Sequence, residues 1–167
     1  MNTIIPSAKD SKEVNDTIYK VIGACMEVHK AIGPGFPAAF YQKGMEVEMK
    51  EKELPFEPDK VLQVKYKDVV VGEYTIDFLV AGSVVLEVRA NRDEMGDLDI
   101  QNVLRSLTLS GAPMGLLVNF GNLKIQYKRI LPSRAMRGET QPPRLDRPLR
   151  PMGYREGGRT RESNPIL

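Results

Sequence analysis

Between Val14 and Ile130 the spacing of apolar residues changes repeatedly, and each change dictates a different backbone. From Val14 through Ile18, Val21, Ile22, Cys25, Val28 and Ile32 the steps are threes and fours, which line one side of an α-helix. Asp10 followed by Glu13 forms a helix-starting box, each side chain reaching the other residue's free N–H, so a helix start is predicted there. Gly33 and Pro34 end it, because glycine accepts the left-handed cap and proline cannot continue the turn. A second helix is expected from near Pro37 through Phe40, Tyr41, Met45 and Met49 toward Leu54, stopped by Pro55 and weakened at Gly44.

The period then drops to two. Leu62, Val64 and Tyr66 alternate with polar residues, Lys67-Asp68 turns the chain, and Val69 to Val80 returns as the second arm of an antiparallel hairpin. Ala81-Gly82-Ser83 makes the next turn into a strand from Val84 to Ala90, with Val84, Leu86 and Val88 on one face and Val85, Glu87 and Arg89 on the other. Residues 97–110 go back to helical spacing through Leu98, Val103, Leu104 and Leu107, closed by Gly111, and two strands follow, Met114 to Asn119 and Leu123 to Ile130. This order predicts an α/β (α+β) fold: a central mixed β-sheet flanked by helices, with the middle helix crossing over.

After Leu131 the chain turns to Pro, Arg and Gly, with too few large apolar residues to build a core. Two units are therefore expected, a globular domain over 1–132 and an extended tail over 133–167. The formal net charge of +2 hides an asymmetry between them. Eight Arg, no Lys and four acids leave the tail at +4, whereas sixteen basic and eighteen acidic side chains leave residues 1–132 at −2. The globular part is thus no strongly basic nucleic-acid binder, and any electrostatic footprint must be local or in the tail. Arg144, Arg147 and Arg150 recur every third residue among prolines, the spacing that aligns guanidinium groups along a polyproline-like stretch; with Arg155 they are the expected partner or nucleic-acid contacts.

The single Cys25 cannot make an internal disulfide, and the first residues lack a secretory pattern, so a cytoplasmic setting is expected. No apolar run approaches the roughly 20 residues that span a bilayer. His29, the sole histidine, suits capping or packing, and Cys25 falls on the apolar stripe as a small hydrophobe.

Chemistry concentrates on the middle strands. Asp77 lies late in one, and Glu87 and Arg89 lie two apart on the next, so all three can reach one face if the strands pair. Two carboxylates held close favour a hard cation such as Mg²⁺, which polarises a phosphoryl oxygen and lowers the pKa of bound water. An adjacent cation balances charge developing on a phosphodiester. Acids on strands also occur on any solvated sheet face.

Three stretches of the chain add to that reading. The segment VIGACMEVHKAIGPGF with Tyr41 five residues on, YTIDFLV followed by VVLEVRA, and LSGAPMGLLVNFG together resemble the GxxExxY protein family, of the PD-(D/E)XK nuclease-like group. The resemblance implies a nuclease-like core and Mg²⁺-dependent cleavage of nucleic acid. It assigns Asp77 and Glu87 as metal ligands, with Arg89 and Asn102 at the positions of the family's lysine and glutamine. Ala38 stands where the family has the glutamate of its name, and Ser106 where a tyrosine often follows. A methyl group cannot bind a metal, Arg89 is essentially never deprotonated, and Asn102 is one methylene short. The expectation is therefore a degenerate nuclease-like protein acting as a binding or architectural subunit of a larger assembly, with or without nucleic acid, its Arg-rich tail contacting a partner. The alternative is a working Mg²⁺-dependent endonuclease cleaving DNA or RNA. A plain nucleic-acid-binding module relying on tail arginines is a third reading.

Overall fold

The computed structural model describes residues 8–132, with side chains from residue 12 onward. Residues 133–167 lie outside the described residues, and with them Arg144, Arg147, Arg150 and Arg155.

Helix α1 runs from Ala8 to Ile32 and turns its stripe of Ile18, Val21, Cys25 and Val28 fully inward. It begins two residues before Asp10, so the predicted box lies inside the helix; Ala8 and Lys9 are good helix formers and carry the turn upstream. Helix α2, Ala38–Glu51, buries Tyr41, Met45 and Met49 against it. It ends earlier than expected. Glu53 takes a left-handed φ of 54° and the Leu54 N–H returns to the Met49 carbonyl, which closes the helix before Pro55 can.

The sheet holds β1 (Phe56–Tyr66), β2 (Val69–Val80), β3 (Val84–Arg89), β4 (Met114–Asn119) and β5 (Gln126–Ile130), hydrogen-bonded in chain order. Only β3 and β4 are parallel; the other pairs are antiparallel, so the sheet is mixed as expected. The parallel pair needs a crossover, supplied by α3 (Asp97–Ser110). β1 starts at Phe56 rather than near Leu62 and contains Pro58, which an edge strand tolerates because its missing N–H leaves no partner unmet.

Two cores follow from this layering. Helices α1 and α2 cover one face with Phe78, Val80, Leu86, Val88, Leu116 and Val118, and α3 covers the other with Ile76, Val85 and Leu117 beneath Val103 and Leu107. Covered on both sides, β3 is buried from Val84 to Val88, and Glu87 is the one charge within that run. Leu98, expected on the inner stripe of α3, is 81% exposed. It stands five residues before Val103, about 140° around the helix, and so faces away. β5 begins at Gln126 rather than Leu123, because residues 121–124 form a turn pinned by Asn122, whose carbonyl lies 2.8 Å from His29 Nε2. That contact and the neighbouring Phe120 ring give His29 the packing role expected of it. Burial pushes the Cys25 thiol well above its ordinary value, consistent with a small hydrophobe. Among the described residues no helix is long and apolar enough to cross a membrane.

Candidate functional site

The site begins with an interruption in the β1–β2 hairpin. Pro58 pairs with Phe78 and Lys60 with Ile76, but Asp59 between them has a left-handed φ of 48°. Both strands change sides there: Phe56 and Phe78 enter the α1/α2 core, while Leu62, Tyr74 and Ile76 enter the α3 core. Asp77 sits at this switch. The backbone ladder from β2 to β3 ends at Phe78 and Leu86, and one step on the Asp77 carboxylate itself accepts the Val88 N–H at 2.8 Å. A side chain thus replaces a backbone bond and is fixed beside β3.

Glu87 points to the α3 side of β3 and is 4% exposed. Its Oε1 accepts a hydrogen bond from the buried Ser106 hydroxyl at 3.1 Å. Burial, and then the neighbouring Asp77 carboxylate, push the Glu87 carboxyl up to about 8, against the weaker pull of Ser106 and Arg89. The two acids therefore converge, as the pairing of their strands predicts.

Arg89 is held between these acids and α3. Its Nε donates to Asp99 Oδ1 at 3.2 Å, and Asp99 Oδ2 accepts the Gly96 N–H at 3.1 Å where α3 begins. At the other end of the guanidinium, Nη1 donates to the Val88 carbonyl at 3.0 Å and lies 3.9 Å from both Asp77 Oδ2 and Glu87 Oε2. Three acids from three elements thus gather about one arginine.

Asn102 lies on α3 between Asp99 and Ser106, and its side-chain carbonyl accepts from Arg105 at 3.1 Å. Ala38 is the first residue of α2. Tyr41 in the same helix is fully buried and stacked on Phe120 with ring centroids 4.8 Å apart. Its hydroxyl donates to the Gly33 carbonyl at 2.5 Å and accepts the Phe36 N–H at 3.3 Å, so it braces the turn between the first two helices. Asn119, at the end of β4, is 1% exposed and fully used. Its oxygen accepts the N–H groups of Asn91 and Gly121, and its nitrogen donates to the carbonyls of Asn91 and Asp93. This clamps the segment leading from Arg89 to α3.

Sequence reasoning missed Asp99 and the bond from Ser106. Their signal was a helical register: Asp99, Asn102 and Ser106 are spaced three and four apart, on one face of a helix that crosses over the strand carrying Glu87 and Arg89.

The donor set for a divalent ion is short. Among the described residues no group of three or more His, Cys, Asp or Glu side chains is gathered to hold a metal. Mg²⁺ requires oxygens at about 2.1 Å. The space near Asp77 Oδ2, Glu87 Oε2 and the Val88 carbonyl is taken by Arg89 Nη1, so as arranged these residues do not fit the ion.

A family model described as the PD-(D/E)XK nuclease superfamily matches residues 15–130. No curated protein matches the sequence. Among solved structures the chain is similar to SSO0001 at 19% identity and a TM-score of 0.46, over 57% of this chain and 51% of that one, so it spans about half that protein's length. It is also similar to an alkaline exonuclease, LHK-Exo, from Laribacter hongkongensis, at 11% identity and a TM-score of 0.46, over 82% of this chain and 76% of that one.

Proposed function

The chain belongs to the PD-(D/E)XK nuclease superfamily, and on that premise we propose that it is a degenerate member of the GxxExxY family, retaining a phosphodiester-recognising scaffold with little or no cleavage activity. It serves as a binding or architectural subunit of a nucleic-acid-containing assembly. In this reading Arg144, Arg147, Arg150 and Arg155, within residues 133–167, contact the partner.

One observation carries the reading. The cation beside Asp77 and Glu87 is an arginine whose Nε is bound to Asp99 at 3.2 Å and whose Nη1 is bound to the Val88 carbonyl at 3.0 Å, so two of its three nitrogens are engaged within the protein and not on a cleaving phosphodiester. Nucleases of this superfamily typically use Mg²⁺. Ala38, standing where the GxxExxY pattern has its glutamate, removes a carboxylate, and Gln42 one turn on replaces it with a neutral amide. Asn102 in place of glutamine shortens the reach of a further polar group.

The test is incubation of the purified protein with single- and double-stranded DNA and RNA in Mg²⁺ or Mn²⁺, beside binding measurements in EDTA. Retention of nucleic acid without cleavage is expected, with affinity falling steeply with salt and weakened by deletion of residues 133–167. Cleavage abolished by Asp77→Ala would establish the endonuclease instead, a reading favoured by the convergence of Asp77 and Glu87.

A further inference from the structure

We infer that the Arg89 guanidinium is a built-in cation standing in the place of a divalent metal, and that Asp99 holds it there. This rests on the proposed derivation from a nuclease site but concerns a different property, the affinity of that site for metal.

The geometry carries it. Arg89 Nη1 lies within 4 Å of three oxygens from three residues: the Val88 carbonyl at 3.0 Å, Asp77 Oδ2 at 3.9 Å and Glu87 Oε2 at 3.9 Å. Two carboxylates and a carbonyl facing one point make a hard-cation donor set, and here a nitrogen occupies that point. The opposite edge of the same guanidinium is anchored by Asp99, itself fixed at the first turn of α3 by the Gly96 N–H. An incoming ion would have to draw the oxygens inward and expel Nη1, breaking its bond to Val88 and disturbing the Asp99 pair. A lysine could not do the same work. Its ammonium is a single point charge and cannot bridge Asp99 and the three oxygens together, whereas the planar fork of arginine presents both edges at once.

Mn²⁺ alone is the probe, its free concentration followed by electron paramagnetic resonance on the full chain, with unfolding curves verifying that each variant is folded. Arg89→Met should tighten Mn²⁺ binding by roughly tenfold or more relative to the parent, and adding Asp77→Asn to it should abolish the gain. Arg89→Lys, which keeps a positive charge but cannot bridge Asp99 and the three oxygens together, should give a smaller gain than the neutral Arg89→Met. Should Arg89→Met not fold, Asp99→Asn, which keeps the guanidinium but releases its anchor, should give a smaller gain in the same direction. Parent protein binding Mn²⁺ as tightly as the variants, or no variant binding at all, overturns the inference. Nucleic-acid retention in EDTA is read separately, so its loss would count against the proposed function and leave the metal comparison intact.

Discussion

Replacing Glu87 by Gln should make the metal-free protein more stable at high pH and leave it nearly unchanged at low pH. Gln keeps the volume of the side chain, still accepts from Ser106 Oγ, and turns an amide N–H₂ toward Asp77. What it removes is the proton equilibrium. The Glu87 carboxyl titrates at about 8 in the folded chain against an ordinary 4.5, because burial and Asp77 disfavour its charged form. The folded state therefore binds this proton more tightly than the unfolded state, and stability falls as pH rises between those two values. The stabilising share is fully present below about pH 4.5 and is lost once pH has passed about 8. At about 1.4 kcal/mol per unit, the shift corresponds to roughly 3 to 5 kcal/mol across that window. Urea unfolding followed by circular dichroism in EDTA, at steps from about pH 5 to about pH 9, gives the difference between parent and variant and cancels all other titrating groups. A difference that stays flat, or that grows in favour of the parent with rising pH, would show that Arg89 outweighs burial and that the reasoning is wrong.

Asn119→Ala strands four bonds of one buried amide and should cost about 2 to 4 kcal/mol in urea unfolding; a loss below about 1 kcal/mol would mean that the segment from Asn91 to Asp93 is held by something else. Tyr41→Phe keeps the stacking on Phe120 but drops the hydroxyl that bridges Gly33 and Phe36, for a loss of about 1 kcal/mol; no loss would deny that hydroxyl a bracing role. A β-carbon at Gly44 would stand 2.9 Å from Val28 Cγ1 and 3.2 Å from Ile32 Cδ1, so Gly44→Val should destabilise by about 1 to 3 kcal/mol through overpacking, and a stabilised variant would contradict the close helix crossing.

Those residues also show what could be read from the chain alone. The meeting of Asp77 and Glu87 was legible, since a hairpin followed by a short turn fixes which strands pair and a period of two fixes which side chains face together. The switch at Asp59 and Asp77 was not. Tyr74, Ile76 and Phe78 are spaced two apart, yet Tyr74 and Ile76 enter the α3 core and Phe78 the α1/α2 core, a change of side on β2 opposite the left-handed Asp59 of β1. Gly44 looked like a flaw in α2, because helix propensity is local and the approach of α1 is not. Asp99 was hidden for the same kind of reason. An acid in the first turn of a helix is already accounted for by the helix terminus, so nothing in the sequence demanded a second partner for it. The departures at Ala38 and Arg89 were visible, but the position of the Arg89 fork required coordinates.

The far end of the β1–β2 hairpin has a practical consequence. From Lys65 to Gly72 the hairpin is exposed, and its strand bonds run only from one arm to the other. Chain length can therefore change at Lys67-Asp68 without shifting Asp77, which is positioned by β3 several residues below. The loop is a ready port for grafting a fluorophore or an affinity handle, reporting on the protein while leaving its acids undisturbed.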